Sequence, residues 1–480
     1  EGKYVHKDIR KSINFLTLSA NNNNIEAQYF LGFFYFDGKY VKRDINKSIH
    51  YLTLSADKNY QNSQFLLGTI YYEGIFIQRD INKSIHYLKL SAGQNSVEAQ
   101  FFLGFIYYEG KFIQRDINLS INFLKSSADL NFQHSQFLLA MIYYEGKYIQ
   151  QDIDKAIYYL TLSSNQNNKE SQYSLGLIYY EGKYIQKDIN KSIYYFTFAA
   201  NQDHPEAQYL LGVIYSTGIY VCKNIKKGFD YFVQSALKGN IESSFAVGYF
   251  YHEGKYVTQD IDKSIYNYKE ASSFNNQYAK NNLGVLYKQK NINLSIEYFE
   301  EAIYRFGDMV SMYNLSHIYI YEYKTIKQID KSIDLLIDSI KQKFYPSEFL
   351  LCIALIKKHR KNLDKIQEDL FSKTNKSNNI SNRIIQMIFK YKFLNDLAFE
   401  KIYEYFMKIN YIYDFTLKII QSNLSKTSNN QMNNMKAKNI SSDFYLGFNI
   451  DILSWTSPLH TNSMELRSLP VFCGIDKHIF

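Results

Sequence analysis

At 480 residues the chain exceeds what one compact core usually holds, so it should fold as several domains or as one elongated repeat array. Four prolines and abundant aliphatic and aromatic residues exclude disorder and collagen-like structure, and they permit long runs of helix. The formal charge is +9, but basic and acidic residues alternate along the chain, so nucleic acid is not an expected partner.

The excess of Asn, Ile, Lys and Tyr is also what an AT-rich coding sequence yields, and composition is given little functional weight. The chain opens at Glu1 inside a motif that recurs later, so a natural start upstream is expected and a missing signal peptide is uninformative. No stretch approaches the roughly 18 uncharged apolar residues of a membrane span, and the expectation is a soluble, cytoplasmic protein. Cys222, Cys352 and Cys473 lie far apart without CxxC pairing and read as free thiols.

Gly38, Gly74, Gly110, Gly146, Gly182, Gly218 and Gly254 fall 36 residues apart, and Gly2 extends the series backwards. A second series of the same period is Gly32, Gly68, Gly104, Gly176, Gly212, Gly248 and Gly284, with Ala140 in the vacant place. In the repeat that begins at Val97, the residues Gln100, Leu103, Gly104 and Tyr107 have the spacing of a helix stripe. This half is helix A, and Gly110 closes it in a left-handed conformation. Asp116 caps helix B, where Ile117, Ile121 and Leu124 form the second apolar stripe.

The two glycine series have different tasks. Ala140, Ser316 and Cys352 replace the helix A glycine in other repeats, so that position requires small volume where helices meet. The loop glycine has no substitute in any repeat that keeps the full loop, as expected for a residue with positive φ.

The recurring pattern EAQxxLGxxYxEGKxxxxDxxKSIxYxxxSA resembles the Sel1-like repeat, a relative of the tetratricopeptide repeat. The resemblance spans residues 1–379, with a half repeat at 1–24 and full repeats from Ile25, Gln61, Val97, Gln133, Lys169, Pro205, Ile241, Gln277, Met309 and Tyr345. It implies an all-α fold, a right-handed solenoid of helix-turn-helix repeats stacked on their neighbours.

Departures from the family pattern are instructive. The family's second loop glycine is replaced by Tyr40, Phe76, Phe112, Tyr148, Tyr184, Tyr220 and Tyr256, which predicts a tighter or differently turned loop. The repeat from Gln277 lacks the loop, and Glu322 stands at the glycine position of the next, so a change of pitch is expected near 288–326. Residues 380–424 read as a helical cap. Residues 425–480 read as a polar linker and a tail outside the repeats, with Trp455, Pro458 and Pro470.

No P-loop, GxGxxG, GxSxG, HExxH or kinase HRD motif appears, so no catalytic role, cofactor or metal is expected. Glu73, Glu109, Glu145, Glu181 and Glu253 recur one per repeat and read as solvated helix ends. His50 and His86 lack a second ligand at helical spacing, and His317 reads as a surface residue. Asn46-Lys47-Ser48, Asn82-Lys83-Ser84, Asn118-Leu119-Ser120 and Asn190-Lys191-Ser192 are formal glycosylation sequons, yet their serines should pack inward in helix B.

The resemblance implies that the inner surface carries residues three before, one after and four after the helix A glycine. The first place holds Tyr29, Phe65, Phe101, Phe137, Tyr173, Tyr209 and Phe245; the last holds Phe36, Tyr72, Tyr108, Tyr144 and Tyr180. Such rings suit capture of a protein or peptide. Tyr72, Tyr108, Tyr144 and Tyr180 are expected to form an exposed ladder, since Tyr107, Tyr143 and Tyr179 already fill the core stripe. Three functions stay open: a binding adaptor, the regulatory part of an enzyme such as a kinase, and a subunit of a ubiquitin-ligase complex in the endoplasmic reticulum.

Overall fold

A computed structural model describes residues 9–359 apart from 275, 324 and 345, together with 365 and 369. It divides after Ala207 into two bodies, each built as an all-α solenoid of stacked helix pairs, with no strand among the described residues. In the first body the A helices are Ile25–Asp37, Gln61–Glu73, Val97–Glu109, Gln133–Glu145 and Lys169–Glu181. They alternate with the B helices Ile9–Asn21, Ile45–Ala56, Ile81–Gly93, Ile117–Asp129, Ile153–Asn165 and Ile189–Asn201. Helix Pro205–Thr217 begins at the junction.

The second body continues with B helices Ile225–Leu237, Ile261–Ser273, Ile292–Phe306 and Ile326–Lys341, and A helices Ile241–Glu253, Gln277–Lys290, Met309–Ile318 and Pro346–His359. The proposed cap at 380–424 and the tail at 425–480, Cys473 included, lie outside the described residues.

Each boundary has a local cause. The loop glycines 38, 74, 110, 146, 182, 218 and 254 all have positive φ, and at Gly110 (φ 61°) the backbone N–H donates to the Ile106 carbonyl. Asp44, Asp80, Asp116, Asp152, Asp188 and Asp260 cap the B helices, each accepting from the backbone N–H three residues on. The return turn from B to A uses Asn23, Asn59, Asn95, Asn131 and Asn167 at φ 60–67°, with Asp203 and Gly239 at the same place. Asparagine tolerates this left-handed region better than other residues with a Cβ.

The helix A glycine sits where two helices press together. A Cβ on Gly68 would lie 2.6 Å from Leu88 Cγ, and one on Gly104 would lie 2.5 Å from Leu124 Cγ. Ser84 and Ser120, the serines of two sequons, are fully buried and donate to the Gly68 and Gly104 carbonyls at 2.7 Å. Ser48 and Ser192 are buried equally. Polar stitching runs between and within repeats: Gln64 Nε2 donates to the Ala56 carbonyl of the preceding repeat, and Gln94 Nε2 donates to Gln64 Oε1 of its own repeat at 2.7 Å.

Regularity lapses in the second body. The repeat from Gln277 has no loop, because Asn291 ends one helix and caps the next, accepting from Leu294 N. In the following repeat a π-helical turn, Tyr319–Tyr323, replaces the glycine closure.

Candidate functional site

The expected exposed ladder is not exposed. Tyr72, Tyr108 and Tyr180 are buried at 7–8 % accessibility, and Tyr144 is half-buried. The rings of Tyr72, Tyr108 and Tyr144 reach across to the next repeat. Tyr72 Oη donates to Glu109 Oε2 at 2.8 Å, and Tyr108 Oη donates to Glu145 Oε2 at 3.2 Å. Burial, with the neighbouring carboxylate second, raises the Tyr72 and Tyr108 phenols above their ordinary range, and Tyr144 is pushed up to about 12 by burial and Glu181.

The loop aromatics explain why these rings are covered. Phe112 meets the Tyr72 ring edge-on at 5.8 Å, Tyr148 meets Tyr108 at 6.2 Å, and Tyr184 meets Tyr144 at 5.9 Å. Over the same loop rings lie guanidinium groups of the preceding repeat, Arg79 on Phe112 at 4.0 Å and Arg115 on Tyr148 at 4.3 Å. Arg79 also caps its own helix A, donating to the Tyr72 and Glu73 carbonyls. The aromatic that replaces the family's second loop glycine is therefore a clasp between repeats.

The expected core tyrosines occupy a different seam. Tyr71, Tyr107, Tyr143 and Tyr179 stack nearly parallel on Tyr87, Phe123, Tyr159 and Tyr195 of helix B at 5.9–6.1 Å. Lys83, Lys155 and Lys191 close three of these stacks at 5.0–5.2 Å. Tyr71, Tyr107 and Tyr179 are half-buried, so in the pairs 107/108 and 179/180 the adjacent tyrosines have exchanged the roles expected of them, whereas Tyr143 is buried beside half-buried Tyr144 as expected.

The row three before the glycine is more accessible. Phe65, Phe101, Tyr173, Tyr209 and Phe245 are half-buried, whereas Tyr29 and Phe137 are buried. Phe101 lies 5.6 Å from Phe132 and 6.1 Å from exposed His134, so two repeats build one aromatic surface. Tyr173 stacks on buried His204 at 4.4 Å, and His204 Nε2 lies 3.0 Å from Glu170 Oε2.

Sequence reasoning missed a row of exposed rings at one register. Tyr158, Tyr194 and Tyr266 are 57–63 % accessible on helix B, in the register of His50 and His86. Their signal was present, because they stand outside the B stripe that Ile121 and Leu124 define. Two further expectations need correction. Glu109 and Glu145 are half-buried acceptors rather than solvated ends, because the tyrosine above each supplies a hydroxyl. His317 is half-buried in a cluster with Lys288 and Tyr321, not a free surface residue. Cys352 is buried and its thiol is pushed up by burial; Cys222 is exposed. Among the described residues no group of three or more His, Cys, Asp or Glu side chains could hold a metal ion, and no helix is long and apolar enough to cross a membrane.

Paired helices, a fixed period and inter-repeat clasps define an α-helical repeat protein with the type of fold that serves as a protein-binding scaffold. The Sel1 repeat profile matches residues 1–24, 25–60, 61–96, 97–132, 133–168, 169–204, 205–240, 241–273 and 278–305. The chain belongs to the Sel1 repeat family. It is similar in structure to a protective antigen of uropathogenic Escherichia coli that displays an SLR fold (20 % identity, TM-score 0.62, 92 % of this chain and 94 % of that one). It is also similar to a Sel1 repeat protein from Oxalobacter formigenes (26 % identity, TM-score 0.51, 65 % of this chain and 92 % of that one). A search of curated proteins found no match.

Proposed function

We propose that the chain is a non-catalytic scaffold that holds a protein or peptide segment along its A helices. The observation that carries this reading is the row of half-buried rings at one register of the first body, Phe65, Phe101 and Tyr173. Aromatic anchors on a rigid helix supply much apolar contact for little lost rotamer freedom. Tyr72, Tyr108, Tyr144 and Tyr180 serve this surface from behind, by fixing the spacing of successive A helices. Tyr29 and Phe137 belong to the same backing.

The competing surface is the B-helix row Tyr158, Tyr194 and Phe198, where Tyr194 and Phe198 meet at 4.7 Å. Peptides selected from a random display library on the full chain separate the two. Replacing Phe65 and Phe101 together by Ser should weaken a selected peptide about thirtyfold, as two anchors of ~1 kcal/mol each would. Replacing Tyr158 and Tyr194 by Ser should leave it unchanged. Loss only in the second pair would move the site to the B helices and contradict the proposal.

A further inference from the structure

Along the A helices, the two registers that form the tyrosine–glutamate stitch change chemistry in the last repeats. Where Tyr72, Tyr108, Tyr144 and Tyr180 stand, the repeat from Gln277 has Lys288. Where Glu73, Glu109, Glu145 and Glu181 stand, the final two repeats have Tyr321 and Lys357. Lysines stand at two of these three places, in different repeats.

These residues meet. Lys288 Nζ lies 3.2 Å from His317 Nδ1, within hydrogen-bond distance. The Tyr321 ring lies 4.5 Å from the His317 ring, and Lys357 Nζ lies 4.1 Å from the Tyr321 centroid. Three successive A-helix segments thus bring two ammonium groups and an imidazole to one place. The intervening segment is the π-helical turn Tyr319–Tyr323, a geometry often found at functional sites.

Other sequestered lysines of the same body are neutralised directly. Lys280 pairs with Glu301 at 2.7 Å, and Lys358 pairs with Asp330 at 2.7 Å and Asp369 at 2.6 Å. Lys288 has an imidazole instead, and exposed Glu322 acts on it only through space. Burial lowers the Lys288 ammonium and, with Lys288 and Lys357 adding to it, lowers His317 to about 4. A carboxylate placed against Lys288 and Lys357 would be attracted by both ammonium groups.

We propose that Lys288, His317, Tyr321 and Lys357 form a subsite for the carboxylates of an acidic peptide segment, which rests on the reading of the chain as a peptide-binding scaffold. Compact lysine ammonium groups without an arginine fork suit single carboxylates better than bidentate phosphate recognition. The Tyr321 ring gives the methylene groups of a glutamate an apolar wall. A bound carboxylate offsets the repulsion around His317, so the imidazole takes up a proton on binding. The charged and titratable groups facing it are Lys288 from helix Gln277–Lys290, Tyr321 and Glu322 from the π-turn, and Lys357 from helix Pro346–His359.

Fluorescence anisotropy of labelled hexaglutamate with the full chain tests this. Binding should tighten as pH falls from about 7.5 to 5.5, and His317→Gln should remove that dependence. Lys288→Gln and, on the exposed side, Lys357→Gln should each weaken binding about tenfold, with Lys288→Arg restoring part of it. No binding to the parent chain, equal binding by all folded variants, or displacement by equimolar inorganic phosphate would overturn the proposal. The selected-peptide experiment on Phe65 and Phe101 reads the other body, so failure here leaves the scaffold reading standing or falling on its own result.

Discussion

The repeats of residues 25–204 and those of 277–359 share one helical plan and differ in what their A-helix surface does. In the first group, Tyr72, Tyr108 and their equivalents spend their hydroxyls on the next repeat, and loop aromatics and arginines cover the rings. In the second, the loop glycine and its clasp are gone, and Lys288, His317 and Lys357 gather where the stitch would be. A repeat array can keep its core period and still free one stretch for recognition, because each repeat answers only to its neighbours.

The sharpest way to break this comparison is at the loop glycines. Gly110→Val forces a β-branched residue to φ 61°, with its Cβ 2.6 Å from Arg115 Cβ. It should cost about 3 kcal/mol in urea unfolding, from backbone strain and the clash together. Glu322→Gly, at the same register but inside the π-turn, should cost only about 1 kcal/mol, the usual penalty of glycine in a helical segment. Equal losses would show that the two closures are equivalent.

A second test uses pH. The folded His317 has its pKa lowered to about 4, so the unfolded chain binds the extra proton between that value and about 6.5. Stability of the second body is therefore fully present above about pH 6.5 and is lost progressively as pH falls towards 4, by up to about 3 kcal/mol. Hydrogen exchange in helix Met309–Ile318 should accelerate over that window, and His317→Gln should flatten the change. A pH-independent exchange rate in the parent chain would remove the neutral, cation-crowded imidazole from the account.

Smaller effects probe the stitch itself. Tyr108→Phe leaves half-buried Glu145 without its hydroxyl donor and should cost about 1.5 kcal/mol. Asn95→Ala should cost about 1 kcal/mol because alanine is strained at φ 63°, whereas Asn95→Gly should be neutral or better. Chemical denaturation of each variant reads both, and a neutral Tyr108→Phe would mean that the ring alone joins the repeats.

Much of the fold was legible in the sequence, because each structural demand recurs every 36 residues: the positive-φ glycine, the Asp cap and the inward Ser of helix B. The binding surface was read less well, for physical reasons. Helical spacing tells which residues share a face, but the exposure of Tyr108 is decided by Tyr148 and Arg115, which arrive through the loops. The aromatic at the second loop position was noticed, yet its partner lies in the preceding repeat, 40 residues away for Tyr108 and Tyr148. Composition misled in the opposite direction. Asparagine was set aside as coding bias, while Asn59, Asn95, Asn131 and Asn167 hold the left-handed turns and Asn24, Asn168 and Asn276 cap helices.

The account turns on which tyrosines face solvent, and tetranitromethane nitration of the native chain with peptide mapping measures that directly. Tyr304, Tyr158, Tyr194 and Tyr266, each with more than half of its surface accessible, should react early, and Tyr72, Tyr108 and Tyr180 should stay protected until the chain unfolds. Nitration of Tyr72, Tyr108 and Tyr180 at the rate of Tyr158 would contradict the inter-repeat stitch and return those rings to the binding surface.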